Sequence, residues 1–593
     1  MSEVLDDLGF FRDFARKKWP LRGTQSLNGE FYSSRRVSKQ LTEKGPIMTG
    51  DRFSEHYSDL LEGVYDCVDR IVLNAYFTRG HIPGGFRNWW RRLFGDDENL
   101  DNTHLMRFAG RFSRRVRGWA KKRGIPVIDC RAGVRKHEKA LDYLPTDPEA
   151  EGFFVIFAAK APGVVWNAER SKSGALNLVK KKPMPYVNHY SFHILDREWG
   201  HLTVKICPHP PFKAQIMLNG HEYVARQARR LGIGFVKEGN CFTKVSDAAG
   251  LHQVADTLRS PSAVGRLKQV CERWIYRCLG FALDFADQER TGFRYDLSVY
   301  QLEASRNLLF SWGSDLERVF QSVIDRTRSS LDIPTLRTLF GRKTRPYRRI
   351  RSKSCRCDVA VETPEYNLTI FKLRFGRLGL KMYSKGERVL RIEATAHNAQ
   401  ALRCGRVVEK FPDLVGALHD MVLRFLATLR GIDVAWVEDK TLEHLPIASQ
   451  VGRSRIAGLQ IEQPRIRAVF QAVTALAAQP RGFTAGQVAE HVACTLDQPY
   501  HSRQAAYDLK KLRGKDLVVR IGKSKRYEPS EQGLRVLVGV LTLRDKVLQP
   551  LLANSCNLKV GRKPLNRHFL DPHYETLQRG MRELFRALNF VPQ

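Results

Sequence analysis

The chain has 593 residues, which at roughly 100–200 residues per domain predicts about three to five domains. Its 98 Lys and Arg stand against 62 Asp and Glu, a formal charge of +36, so a polyanion is the natural partner. No apolar run approaches the ~18 residues of a membrane span and no secretory leader pattern opens the chain. Nucleic acid is therefore the expected partner rather than a membrane, and the cytoplasm the expected compartment.

The predicted fold class is α+β and multidomain. It combines a mixed α/β N-terminal half, a helical middle, an antiparallel meander with a covering helix, and a C-terminal winged helix. Eleven scattered cysteines, an odd number mostly in apolar segments, suit reduced thiols better than a disulfide framework.

Residues 1–50 are polar and basic and are expected to form a flexible arm. Residues 51–150 are expected to bind nucleic acid. Here Phe86, Trp89, Trp90 and Phe94 interleave with Arg87, Arg91 and Arg92, a pattern that suits stacking on bases or an amphipathic helix with buried tryptophans. From Asp101 to Gly124 the spacing predicts a helix with an apolar face (Leu105, Phe108, Phe112, Val116, Trp119) and a basic one. Arg111, Arg114, Arg115 and Lys121 on the basic face are candidate phosphate contacts. Asp129 closes a short strand, with His137 and Glu138 following.

Residues 151–250 read as a β-rich domain carrying His189, His193, His201, His209 and His221 with Cys207 and Glu222. These spacings match no closed structural-zinc pattern, so zinc is not expected. The His-apolar-His triplet of rolling-circle relaxases is absent; His189 and His193, a near miss, have three residues between them where the triplet has one. Residues 251–340 read as a helical brace. The cationic run 341–357 is a linker with Arg348, Arg349 and Arg351 as candidate contacts.

In the 358–450 region, Leu368 to Asn398 alternates so regularly that pairing can be derived. A two-residue loop at Gly376-Arg377 opposes Phe375 with Leu378, Leu373 with Leu380 and Phe371 with Met382. A three-residue loop at 386–388 opposes Met382 with Ile392 and Leu380 with Ala394. The other face then carries Lys381 against Glu393 and Tyr383 against Arg391, with Lys385 and His397 nearby. A helix at Pro412–Leu429 is expected to cover the apolar face. Tyr383-x-Lys385 followed by Arg391-x-Glu393 resembles the core hairpin of plasmid and filamentous-phage replication initiators. That resemblance implies a tyrosine nucleophile, Mg²⁺ or Mn²⁺ held by Glu393 with a histidine, and Lys385 and Arg391 facing the phosphorane. Glu393, Tyr383, Lys385, Arg391 and His397 are thus the candidate catalytic residues, and Glu393 the candidate metal ligand.

Within 461–550, helix, helix, helix and hairpin follow in order, and Phe483 to Ser530 resembles the winged helix-turn-helix of MarR-type regulators. The resemblance implies nucleic-acid contacts from Arg503, Lys510 and Lys511 on the third helix and from Lys523, Lys525 and Arg526 on the wing. A basic tail, 551–593, ends the chain. The expected function is nucleic-acid processing by a protein of a mobile element, plasmid or phage, as a metal-dependent endonuclease or an initiator- or transposase-like enzyme. Two alternatives stand beside it: a non-catalytic RNA-binding subunit of a ribonucleoprotein, and a duplex-DNA regulator. No Walker A loop, Rossmann glycine pattern, HNH or GIY-YIG signature is present.

Overall fold

The alternation that marks the meander extends through much of the chain. The computed structural model describes residues 50–330 except 132–133, 148–149 and 172–175; residues 357–362; 370–548 except 434–438 and 480; and a few positions between 573 and 583. Eleven strands among them form one sheet: β1 (Leu61–Tyr76), β2 (Val127–Asp129), β3 (Gly152–Pro162), β4 (Tyr186–Asp196), β5 (Gly200–Ile206), β6 (Ala214–Asn219), β7 (Asp296–Phe310), β8 (Cys357–Glu362), β9 (Ile370–Phe375), β10 (Leu378–Lys385) and β11 (Val389–Ala396). Their order is β8-β9-β10-β11-β7-β1-β6-β5-β4-β3-β2, and only β2 and β3 pair in parallel. The strands expected in the 151–250 and 358–450 regions thus belong to the same sheet.

The meander has the register its apolar residues dictate: Leu373 faces Leu380, Met382 faces Ile392, Lys381 faces Glu393 and Tyr383 faces Arg391. Its two loops are 376–377 and 386–388, and Gly376 and Gly386 both take positive φ, as tight hairpins require.

The helical expectation for 251–340 fails at β7, which lies at the sheet's centre between β11 and β1. Gln301, Glu303, Ser305 and Asn307 alternate there with Leu302, Ala304, Arg306 and Leu308. Arg306 hides this period-2 pattern by placing a charge on the apolar face. Its charge is met by Asp66 at 2.9 Å and Asp51 at 2.7 Å, both almost fully buried.

One sheet face is apolar and buries Ile71, Leu73, Phe192, Leu202, Val204, Leu380 and Ile392. Four long helices among the described residues build its core: Asn102–Lys122, Ser262–Leu279, Gly313–Ser330 and Phe411–Asp433. The last is the expected covering helix, burying Leu414, Leu418, Met421 and Phe425. The helix Pro83–Phe94 buries Phe86, Trp89 and Trp90, leaving only Phe94 exposed. These tryptophans are core residues and offer no platform for bases.

The C-terminal helices Pro464–Leu476, Ala485–Leu496 and Ser502–Arg513 and the strands Phe483–Thr484, Val518–Arg520 and Arg526–Pro529 form the expected winged-helix arrangement. Thr484 and Gln487 make a reciprocal capping box on the middle helix. Arg424 of the covering helix reaches Glu528 of the wing at 2.7 Å, joining this unit to the sheet.

Replacing Trp90 by Ala should lower the unfolding free energy by about 3–5 kcal/mol, read from urea melts. Affinity for single-stranded nucleic acid, measured where both proteins are folded, should not change. A loss of affinity at full folding would return the tryptophans to the surface.

Candidate functional site

The second face of the sheet is polar along most of its width. Cross-strand partners point to the same face, so the pairs Lys381 with Glu393, Glu393 with Ser305, Ser305 with Cys67, and Gln215 with Lys205 extend one polar layer from β10 to β5. His193 faces Thr203 in the same layer. A bulge lets β1 contribute twice. Its register against β7 slips between Val68 and Ile71, so that Asp69 and Arg70 together oppose Glu303.

At the centre, Asp69 receives three groups. The His221 Nδ1 lies 2.9 Å from one carboxylate oxygen, Ser305 donates to the same oxygen at 3.0 Å, and an Arg391 terminal nitrogen lies 2.9 Å from the other. His221 stands one residue inside the helix Gly220–Arg230, directly after β6, and Asn219 caps that helix. The β-hairpin at 235–245 roofs the cluster: Arg391 donates to the Asn240 carbonyl, and the Phe242 N–H donates to the Tyr65 hydroxyl at 2.9 Å. Asp69, His221 and Arg391 are all about 2 % exposed or less. Burial works to raise the Asp69 pKa, but Arg391 and His221 hold it below the usual carboxylate range. Burial keeps His221 neutral by lowering its pKa.

Toward β10 the layer becomes more open. Glu393 accepts from Lys381 at 2.9 Å, from the Tyr383 hydroxyl at 3.0 Å and from Thr395 at 3.3 Å. Tyr383 and Lys381 are half-buried. Burial, and after it the charge of Glu393, pushes the Tyr383 pKa up. Burial, and then Arg391, lowers that of Lys385. Glu303 is pushed up by burial and by its neighbours Glu393 and Asp69. Four of the five candidate catalytic residues, Glu393, Tyr383, Lys385 and Arg391, therefore come together. His397 lies one residue beyond β11 on an exposed turn, with its backbone N–H bonded to the Arg377 carbonyl. Four residues of strand, about 13 Å, separate it from Glu393. The Glu393 carboxylate, already engaged by a cation and two hydroxyls, does not fit the role of metal ligand beside a histidine.

Two groups among the described residues do bring metal-ligating atoms within 4.8 Å of one another. One is Cys67, Asp69 and His221, where Arg391 already occupies the cation position. The other is His137, His193 and His201. His193 Nδ1 lies 3.0 Å from His201 Nε2 and 3.3 Å from the Thr203 hydroxyl, and His137 stacks on His201 with ring centres 4.7 Å apart. Burial is the main cause that lowers His193 to about 3 and His201 to about 4. Of the remaining histidines of that segment, His221 goes to Asp69, His189 lies 3.0 Å from the Val187 carbonyl, and His209 is buried outside the cluster.

The basic candidates divide by exposure. Arg114, Lys121, Arg503, Lys523 and Lys525 are open to solvent, and Arg115 and Lys510 are half-buried. Arg111 turns inward, donating to the Ala282 carbonyl and lying over the Phe108 ring at 5.2 Å. Lys511 is buried beside Tyr507, because the inward face of its helix extends from Ala505 through Asp508 to Leu512. Arg526 is spent on the backbone carbonyls of Arg481 and Gly482, tying the wing to its neighbouring loop. Arg348, Arg349 and Arg351 lie outside the described residues. Asp129 is exposed and paired with Arg117 at 2.8 Å.

Sequence reasoning missed Asp69, His221, Ser305 and Asn307 as members of the site. For Asp69 the available signal was a carboxylate inside a largely apolar strand; the others carried none in the local sequence. No protein family, curated protein or solved structure matches the chain.

The buried histidines give stability a defined acid dependence. An unfolded histidine takes a proton near pH 6.5, whereas His193 and His201 refuse one until about 3 and about 4. With chelator present, stability should therefore fall as pH drops from about 6.5 to about 4, because only the unfolded state gains protons there. Urea midpoints for His201→Gln should fall less steeply over that window. Equal slopes would contradict the buried, neutral histidine.

Proposed function

We propose that the protein binds nucleic acid over the polar sheet face and the exposed basic residues of the winged helix. We propose further that it processes DNA there, as an endonuclease or an initiator- or transposase-like enzyme of a mobile element, plasmid or phage. The observation that carries this reading is the 3.0 Å contact between the Tyr383 hydroxyl and Glu393, which couples a nucleophile to a base. Lys381, itself 2.9 Å from Glu393, orients that base, and Lys385 brings a second cation to the same face.

In the step this geometry suits, Tyr383 Oη attacks a backbone phosphorus while its proton passes to Glu393 Oε2. The ester bond to the leaving sugar oxygen breaks, and that oxygen takes a proton from solvent. Burial and Glu393 keep the tyrosine protonated at rest, so the proton must leave during attack and not before it. Lys381 and Lys385 then lie where negative charge grows on the phosphoryl oxygens.

A second reading is favoured by the centre of the layer. Asp69, His221 and Arg391 are closed over by the 235–245 hairpin, which suits a rigid polar core in a non-catalytic RNA-binding subunit of a ribonucleoprotein. Supercoiled and single-stranded DNA incubated with Mn²⁺ and protein separate the two. Wild type should nick and form a covalent protein–DNA adduct. Glu393→Gln and Tyr383→Phe should lose nicking by at least ~100-fold while still binding. Equal nicking by all three proteins, or none by wild type, would overturn the catalytic reading. RNA retained through purification would then favour the second.

A further inference from the structure

We propose that His137, His193 and His201 form a site for one divalent transition-metal ion of the borderline class (Zn²⁺, Co²⁺ or Ni²⁺), bound through three imidazole nitrogens. The site does not depend on the proposed cleavage, since all three histidines lie on elements of the N-terminal part of the sheet.

Three separate parts of the chain converge on it. His193 lies on β4, His201 on the adjacent β5, and His137 on the short helix Lys136–Leu141 that follows β2. One nitrogen from each lies within 4.8 Å of the others. At metal–nitrogen bonds of ~2.0–2.1 Å, two ligands on one ion stand about 3.0–3.4 Å apart, depending on coordination angle. His193 Nδ1 and His201 Nε2 are 3.0 Å apart. His193 is 1 % exposed; its Nδ1 meets only the His201 ring and the Thr203 hydroxyl and its Nε2 is buried with no hydrogen-bond partner, so neither nitrogen is committed to a backbone group. Phe157 and Phe154 pack edge-on to its ring and fix it between them, at centre distances of 5.2 Å and 6.2 Å.

The third ligand supplies the way in. His137 is exposed, lies parallel to His201 with ring centres 4.7 Å apart, and already holds a nitrogen within 4.8 Å of one from each of the other two. Three protein ligands and an open side are the pattern of sites that keep a position for water or an anionic group. All-nitrogen donors select against Mg²⁺ and Ca²⁺, which take oxygen ligands, and so set the chemical class of the ion. The competing group, Cys67 with Asp69 and His221, is excluded on charge, since Arg391 sits 2.9 Å from Asp69 and would repel a second cation. The motif was hidden from the sequence because its members are separated by 56 and 8 residues and lie on different elements.

The test is metal titration of chelator-treated, full-length protein without nucleic acid, using Zn²⁺ calorimetry and the visible absorption of Co²⁺. The expected result is one ion per chain, with binding abolished in His193→Gln and His201→Gln and weakened at least ~10-fold in His137→Ala. Cys67→Ser should bind as wild type does. Because His137 is exposed, its variant folds irrespective of the core, and unfolding midpoints identify any variant that does not. Absence of stoichiometric binding, unchanged binding in His137→Ala and His193→Gln, or loss in Cys67→Ser alone would each overturn the site.

Discussion

The guanidinium of Arg391 lies between Asp69 and Glu393, 2.9 Å from one carboxylate and 3.8 Å from the other, and the polar layer of the sheet is built around it. Burying a carboxylate without a cation costs several kcal/mol, and β1 and β11 each bring one into the same interior. Arg391 offsets both while its remaining donor ties down the 235–245 hairpin at Asn240. Burial opposes its charge, yet Asp69 and Glu393 hold it firmly protonated. Arg306, on the other side of the sheet, performs the same service for Asp66 and Asp51. Two buried arginines thus clamp β1, β7 and β11 from opposite faces, where pairing alone would leave long antiparallel strands free to slip register.

This arrangement orders the functional surface by depth. Asp69, His221, Ser305 and Asn307, whose amide donates to the Ser305 hydroxyl at 3.1 Å, form a closed floor. Tyr383 and Lys381, both half-buried, stand at its more open margin and contact the buried Glu393. The bulge at Asp69-Arg70 divides the labour within one turn of chain: Asp69 joins the floor, and the exposed Arg70 lies where its charge acts on both Glu303 and His137. The three histidines share a sheet face with the tyrosine–carboxylate pair, with two strands, β6 and β1, between them and β7.

Local sequence carried the meander completely, because its apolar residues match in only one register and its loops are short. The winged helix and the Asn102–Lys122 helix were legible for similar reasons, each having a clear apolar period and a capping residue. The breadth of the sheet was not legible. β7 carries Arg306 on its apolar face, and only the distant partners Asp66 and Asp51 make that charge tolerable. Asp69 and His221 are separated by 152 residues in the chain and meet only because β1 and β6 pair. Exposure was likewise invisible: Lys511 and Arg526 sit among basic residues in the chain, but helix periodicity buries one and a backbone contact consumes the other.

The central claim is that nucleic acid is held by the polar face of the sheet together with the winged helix. Hydrogen exchange with and without bound oligonucleotide tests it most directly. The account predicts added protection in β10, β11 and the bulge of β1 as well as in the wing at 518–529. Protection confined to the winged helix, with the sheet strands unchanged at saturating oligonucleotide, would contradict it.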